Sequence, residues 1–493
     1  MIRRQSLQTS AISYLGVGLG YINVVLLFPK LFEPEQFGLT RILIAVVGVS
    51  AQFALVGLTN TIIRFFPRFK EGDEKRHHGI LGWALMSGLI GTMVLALVLL
   101  VAKPWVVSEF QDKSGLFVNF YYLLFPLLLF EICTQIFASY TRALYLSVVN
   151  VLFREFFLRA ATTLLILLYQ FHVIDFQLFM QLFVGQFGFM VFGLAAYLKV
   201  VGRFSLHINR SFLTPTLRKE LSGFRLFTFL SSISTLALTY IDIIMITSMM
   251  GLEQTAFYSV GFYMAALLNI PKQALTNISL PVVSDAWQRN DTETIQTIYT
   301  KTSINQLLLG VLIFVGLWSN QANIFQLLPE AYSGGKWVLF FAALARLADV
   351  GFGINGGIIT TSKLYRFDTY SNFVLLVVTV LLNLILIPIY GIVGAAIATA
   401  ISLLSFNVSK FIFLRVKFGL SPFSWKSLAA IVLGFASFGV ASLLPNQSPS
   451  LIIDMVLRSL IVLAVFVPAA LVLNLSEDLT KFLKDILAHI KNS

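Results

Sequence analysis

From Ala11 to Asn474 the chain alternates long apolar stretches with short polar breaks, and most stretches approach the ~20 residues that a helix needs to cross a bilayer. The pattern predicts helices over 9–31, 39–63, 79–102, 116–140, 149–170, 177–199, 224–250, 255–283, 302–320, 337–360, 369–390, 391–414, 427–444 and 454–474. The fold class expected is an all-α polytopic membrane protein with about fourteen transmembrane helices. Its first residues, Met1-Ile2-Arg3-Arg4, have the charge of a signal peptide, but no small-residue cleavage site precedes a polar domain, so the segment reads as the first helix.

The pattern repeats. "TRALY" at 141–145 recurs as "TSKLY" at 361–365, "LTN" at 58–60 recurs at 275–277, and Glu33 with Phe37 matches Glu253 with Phe257. Offsets between 217 and 220 residues lay helix 1 on helix 7 and helix 2 on helix 8. The organisation expected is an N-lobe over 1–222 (helices 1–6), a C-lobe over 223–418 (helices 7–12), helices 13 and 14 within 419–475, and a tail over 476–493. A repeat of six helices enters the membrane in the same sense each time, so an axis along the membrane normal relates the copies.

Two stretches stand out. In "IPIYGIVGAAIATAIS" (387–402), Pro388 and Gly391 break the chain between two helices. Gly391, Gly394, Ala395, Ala398 and Ser402 suit close helix packing; a lipid or substrate groove is the alternative. In the tail, Ser476 can cap a helix with Glu477 and Asp478 in its first turn. Leu479, Phe482, Leu483, Ile486, Leu487 and Ile490 share one face, as in an amphipathic helix on the cytoplasmic membrane surface.

The composition excludes several function classes. The 493 residues are 57% hydrophobic and 12% charged, with net charge +12, and the mean hydropathy of +0.85 lies far above that of a soluble domain. Arg3 and Arg4, Arg64 to Arg76, Lys199 to Arg225, Lys363 with Arg366, Arg415 to Lys426 and the tail hold most of the Lys and Arg, in alternate gaps. The positive-inside rule then makes both termini cytoplasmic, and the basic surplus reports topology and contact with membrane lipid, not nucleic acid. Cys133 stands alone, which rules out a disulfide within the chain and disfavours a cysteine metal site. His77, His78, His172, His207 and His489 are scattered, and no His-Glu-x-x-His or glycine-rich phosphate loop occurs. No metal site or resident cofactor is expected, and catalysis is not; a polysaccharide polymerase would need a sizeable outer loop with catalytic residues.

The two-times-six layout with two extra helices, the "IPIYGIVGAAIATAIS" turn, and "FEPEQFGLTRIL" followed by "GLTNTIIRFFPRF" together resemble the oligosaccharide flippases of bacterial polysaccharide synthesis. These form the polysaccharide transporter branch of the multidrug/oligosaccharidyl-lipid/polysaccharide exporter superfamily. The resemblance implies two six-helix lobes in a V around a central cavity, which opens to each side in turn. It implies a bacterial cytoplasmic (inner) membrane protein that moves an undecaprenyl-pyrophosphate-linked oligosaccharide, an O-antigen or capsule repeat unit, to the periplasmic leaflet. Other membrane proteins of polysaccharide assembly are the implied partners. The alternatives in the superfamily are a multidrug extrusion antiporter, whose cavity should carry carboxylates, and a peptidoglycan lipid-precursor flippase.

Such a substrate needs a wet cavity with cations for the pyrophosphate and an apolar gap for the tail, so charges within spans are the candidates. Glu155/Arg159, Arg346/Asp349 and Asp454/Arg458 are spaced for pairing along one helix. Arg159 and Arg346 can equally face a cavity. Lys272 in "LLNIPKQALTN" follows Pro271 and lies roughly eleven residues, about 16 Å, from the end of its expected helix. That is far for snorkelling and favours a cavity-facing cation. Arg41 and Arg64 bracket helix 2: Arg41 is an exit contact or an interface anchor, Arg64 an entry contact or a boundary marker. Glu131 and Asp242 have no partner within a helical turn. Either could bind the coupling ion, a proton or sodium, or instead hold helices together as a hydrogen-bonded carboxyl.

Overall fold

The computed structural model describes residues 2–481 except 74–75, 210–211, 213, 445–449 and 479, with the side chains of all of these but 2–8, 10, 147, 227, 230–231 and 234–238. The described residues form helices and no strand. Among them nine helices are long and apolar enough to cross a membrane, or ten if Glu330–Gly351 and Asn355–Thr361, bent by 49°, make one span. The expected count of fourteen is not reached by this criterion, because several expected segments are interrupted and others are fused. The chain divides into two compact units, Met1–Ser259 and Val260–Ser493.

The first unit opens with α1 (Ile2–Tyr21), a π-helical stretch Ile22–Leu27 and α2 (Phe28–Leu31), a continuous rod covering the segment expected over 9–31. α3 (Pro34–Leu55) starts on a capping box: the Glu33 carboxylate accepts from the Gln36 N–H, the Gln36 side chain accepts from the Glu33 N–H, and Pro34 sits where a missing N–H costs nothing. The single helix expected over 39–63 is broken. Val56 and Gly57 take left-handed angles (φ 44° and 70°), after which α4 (Leu58–Lys70) begins. Arg225 donates to the carbonyls of Leu55 (3.1 Å) and Val56 (3.3 Å), so the oxygens freed by the break are satisfied from another helix.

α5 (Ile80–Asn119) continues through the outer gap expected after residue 102, with only Ser114 leaving helical geometry. α6 (Leu124–Ala143), α7 (Ser147–Val151), a second π-helical stretch Leu152–Phe157, α8 (Leu158–Gln170), α9 (Phe176–Val200) and α10 (Pro215–Met250) follow. α10, the head of the expected C-lobe, packs along α3. α1 approaches the second π stretch so closely that a Cβ on Gly16 would overlap the Glu155 carbonyl. Asn23, in the first π stretch, donates to the Arg159 carbonyl (2.8 Å) and accepts from Thr163 (2.8 Å), which fixes the two irregular helices to each other. α11 (Leu252–Ala265) spans the boundary between the units.

In the second unit the 3-10 turn Ala266–Leu268 interrupts the helix expected over 255–283, and α12 (Asn269–Gln288) starts after it. Pro271 therefore lies in the first turn of α12, where it costs little, and does not kink a long helix. α13 (Thr292–Ser319) is capped by Asp291, which accepts from the Thr294 N–H (2.9 Å). α14 (Gln321–Gln326), α15 (Gly335–Gly351) and α16 (Asn355–Thr361) lead into α17 (Arg366–Phe418). The 53 residues of α17 would make about 80 Å of straight helix, more than twice the ~30 Å of a bilayer core.

The element divides at Gly391 (φ 60°, ψ −141°), as the expected boundary between 369–390 and 391–414 requires. A Cβ on Gly394 would overlap the carbonyl of Leu386. In an unbroken helix these positions lie about 12 Å apart, so the chain doubles back here. Two of the small residues thus make the turn itself, while Ala395, Ala398 and Ser402 are buried as α17 packs along α15.

α18 (Trp425–Ser442) and α19 (Leu451–Val472) pack together and on α13 around Val311, Ala430, Val462 and Phe466. Arg458 pairs with Asp454 (2.6 Å), as their spacing predicts, and also donates to the carbonyls of Ala441, in the last turn of α18, and Leu444, just past it (3.1 Å each). Past α19, Ser476 donates to the Asn305 side chain (2.5 Å), which in turn donates to Asp478 (2.8 Å). Leu479 and residues 482–493, which carry the rest of the expected surface helix, lie outside the described residues.

Candidate functional site

Each unit gathers charged side chains among its spanning helices. In the first, a cavity of about 190 Å³ is lined by Thr59 of α4, Glu131, Gln135 and Arg142 of α6, Arg154 of the π stretch and Tyr240 of α10. Glu131 is buried and does have partners: Gln135 donates to its Oε1 (2.8 Å), and Arg154 stands 3.5 Å from the same oxygen. Gln52 of α3 donates to Gln135 (3.1 Å), so a chain of amides ends on the carboxylate. Arg142 donates to its own helix, at the Ala138 carbonyl (3.3 Å), and lines the same cavity as Arg154. Glu131 is the one carboxylate among the lining residues.

The other expected residues of this unit are dispersed. Arg159 pairs with Glu155 (2.6 Å) along its helix. Arg41 lies over the rings of Phe37 (5.0 Å) and Phe28 (5.6 Å), beside an aromatic cluster in which Phe32 stacks on Tyr169. Arg64 is exposed and sits over Phe224 (4.4 Å). Asp242, buried, accepts a hydrogen bond from Tyr258 (2.6 Å), a partner sixteen residues away that spacing along one helix does not reveal.

In the second unit Lys272 is not the unpaired cation that its surroundings in the sequence imply. Its ammonium meets Asp349 of α15 at 2.5 Å, and Asp349 also accepts from Asn407 of α17 (3.0 Å). Asn355 donates to Asn407 (2.9 Å), which extends the network to α16. Asp349 is thereby taken by Lys272, not by Arg346 three residues before it; Arg346 lies over the Phe262 ring (5.3 Å). Lys410 and Asp368 form a second pair at 2.5 Å, with Lys410 buried against Phe406 (3.9 Å to the ring centre). Both ends of α17 thus contribute charge to the region around α16, and a Cβ on Gly356 would touch the Lys410 ammonium. The same unit holds an apolar cavity of about 660 Å³ between α13, α15 and α18, walled by Phe314, Trp318, Phe340, Phe352, Phe435 and Phe438.

Residues 2–287 match the family described as Polysaccharide biosynthesis protein. The chain belongs to this family. Over 251 residues it is 22% identical to the probable low-salt glycan biosynthesis flippase Agl15 of Haloferax volcanii, which covers 49% of this chain and 52% of that protein. The chain thus spans about half the length of the curated relative it matches. Among solved structures it is similar to the lipid II flippase MurJ in an inward closed conformation (TM-score 0.76, 14% identity, 95% of this chain and 98% of that one). It is also similar to an inward-facing multidrug resistance MATE family transporter of the MOP superfamily (TM-score 0.62, 14% identity, 83% and 94% covered). These two likenesses show the fold: a helical, multi-pass membrane protein.

Against that family background, the residues that sequence reasoning passed over are Arg142, Arg154, Asp368 and Lys410. Arg154 stands in "LFREFF", inside the predicted span 149–170, and Lys410 lies inside 391–414. A charge within a predicted span was the available signal. For Arg142 and Asp368, which lie outside the predicted spans 116–140 and 369–390, that signal is absent.

Proposed function

We propose that the protein is a flippase for a lipid-linked oligosaccharide, carrying the head group between leaflets by alternating access while the lipid tail stays in hydrocarbon. Membership of the polysaccharide biosynthesis family and the flippase named among its relatives support this reading. The observation that carries it is the apolar cavity between α13, α15 and α18, whose aromatic walls suit a long isoprenoid chain and offer no place to a polar solute. The finer form of the proposal is an undecaprenyl-pyrophosphate-linked repeat unit moved outward across a bacterial cytoplasmic membrane, with both termini cytoplasmic. On this reading no bond is made or broken, and Lys272, Arg159 and Arg346 meet the head group by exchanging their present contacts for phosphate. Arg64 and Arg41 serve entry and exit. Asp242 or Glu131 takes the coupling proton or sodium. An unaltered pH dependence of transport in both Asp242→Asn and Glu131→Gln would end the proton version.

The test is transport in proteoliposomes of a fluorescent polyprenyl-pyrophosphate saccharide, read as label becoming accessible in the opposite leaflet. Movement above protein-free vesicles is expected, together with a selective loss for long-tailed substrate in Leu428→Trp and Ile431→Trp, which fill the apolar cavity. Label that never leaves its leaflet would refute the flippase reading. Equal transport of long and short tails by both tryptophan variants would remove the cavity from it.

A further inference from the structure

The break between α3 and α4 is held open from outside. The stretch 39–63 reads as one helix: it holds no proline, and at the junction only Gly57 weakens it. Val56 nevertheless takes left-handed angles (φ 44°), a region that β-branched side chains avoid, and Gly57 follows it (φ 70°). In an unbroken helix the Leu55 and Val56 carbonyls would accept from the N–H groups of Thr59 and Asn60, which here belong to the first turn of a new helix. Arg225 of α10 takes both places, through Nη2 to Leu55 (3.1 Å) and Nε to Val56 (3.3 Å). One guanidinium thus stands in for two helical amides.

α10 meets the junction closely and α4 lightly. A Cβ on Gly57 would overlap the Arg225 carbonyl and the Thr228 hydroxyl. Along α4 the contacts include Asn60 to Ser232 (3.2 Å), Arg64 over the Phe224 ring (4.4 Å) and Arg68 to Glu220 (2.5 Å), the last with both side chains about half exposed. Exposed polar contacts of this kind hold weakly. α10 is also the head of the second sequence repeat, packed here along a helix of the first.

We infer that the α3–α4 junction is a two-state joint set by α10. With α10 docked, Arg225 satisfies the two carbonyls and the joint stays broken. When α10 withdraws, both carbonyls lose their donor, Val56 leaves the left-handed region, and the N–H groups of Thr59 and Asn60 close the gap. α3 and α4 then form one helix over 34–70, about 55 Å long. The hydrogen bonds gained within the straightened helix offset those that Arg225 gives up, so the two states lie close enough to interconvert. Straightening also removes the acceptors of Arg225, and redocking requires the joint to break again. Use of the joint in alternating access rests on the flippase reading above; the joint itself is defined without it.

The test uses the full chain in nanodiscs, in a Cys133→Ser background, with nitroxides on Glu35→Cys and Lys70→Cys, exposed positions near the two outer ends. Pulsed electron paramagnetic resonance reads their separation. An unbroken helix sets them about 52 Å apart, and two successive left-handed residues turn the chain and shorten that distance. Arg225→Gln should raise the ratio of straight to broken forms at least 10-fold, the worth of its charge-assisted bonds. Adding Val56→Gly to Arg225→Gln removes the left-handed penalty and should return the ratio toward the broken form by roughly 3- to 10-fold. Gly57→Ala, which sets a Cβ against α10 at φ 70°, should favour the straight form by roughly 10-fold or more.

A break that only serves the fold would lose stability in these variants without acquiring the long distance, so opposite movements from neighbouring substitutions are the signature. Should Arg225→Gln fold poorly, Gly57→Ala decides alone. Wild-type distances in both Arg225→Gln and Gly57→Ala, or a shift of the double variant further toward the long distance, overturn the joint. The flippase reading fails separately, through absence of transport by the wild type whatever the distances show.

Discussion

Replacing Asp349 by Leu removes the counter-ion of Lys272 and strands an ammonium that is about a quarter exposed (26%) between α12 and α15. At the observed 2.5 Å the gross attraction is about 7 kcal/mol with an effective dielectric constant of 20, most of it spent on desolvating the two ions. Breaking a buried pair costs about 3–5 kcal/mol, and partial exposure of Lys272 should lower this to about 2–3 kcal/mol. Asn407 also loses an acceptor, though it keeps the Leu403 carbonyl at 2.9 Å. Removing both charges, in Lys272→Met with Asp349→Leu, leaves no orphaned ion and should cost less than either single change, giving a coupling energy of about 2 kcal/mol. Equilibrium unfolding in mixed detergent micelles, followed by tryptophan fluorescence, measures all four corners of the cycle. Additivity within about 0.5 kcal/mol would refute the pair as a structural contact.

Three further outcomes are expected. Gly391→Ala forces a side chain into φ 60°, ψ −141°, a region that glycine alone enters, and should destabilise by about 2 kcal/mol or more in the same unfolding assay, with Gly394→Ala adding a collision with Leu386; an unmoved midpoint in both would show that the turn is not built as described. Arg458→Met leaves Asp454 buried without its cation and frees the Ala441 and Leu444 carbonyls, so it should cost about 3 kcal/mol, while the paired change Asp454→Leu with Arg458→Met should recover most of that. In the loop after α4, the Arg76 N–H beside Asp73 (2.9 Å) holds its carboxyl below the usual carboxylate range, with the His78 N–H (3.0 Å) adding to it. A depressed folded-state pKa stabilises above the ordinary value of about 4, and the benefit is lost as pH falls below it. Protection of the Arg76 and His78 amides from hydrogen exchange, corrected for intrinsic rates, should therefore drop between pH 6 and pH 3, and Asp73→Asn should abolish the difference; equal protection at both pH values would contradict this.

What the sequence disclosed follows the reach of local interactions. Hydrophobic period and length place the rods, because a membrane helix must satisfy its backbone within itself. Asp454 pairs with Arg458 as its spacing predicts, and Glu155 takes Arg159, one of the two outcomes that a spacing of four on one helix left open. Partners on other helices were out of reach: Asp349 lies 77 residues from Lys272, and Arg154 lies 23 from Glu131. Asp349 had a basic neighbour three residues away, and the tertiary partner won. The same holds for backbone breaks. Gly391 could be read because Pro388 and small residues surround it, whereas the break at Val56 depends on Arg225 in another helix to cap the freed carbonyls. The polar cavity is not legible along the chain because its walls come from α3, α4, α6, the second π stretch and α10, none of which looks unusual alone.

The hairpin at Gly391 also bears on how the protein is made. With the Leu386 carbonyl pressed against Gly394, the two spans of α17 share almost no intervening chain. A ribosome-bound insertion machine cannot park the first of them in lipid and thread the second later, because no slack exists to wait in the aqueous phase. The pair must slip into the bilayer as one unit, and a tag spliced between them would disturb biogenesis before it could report on topology.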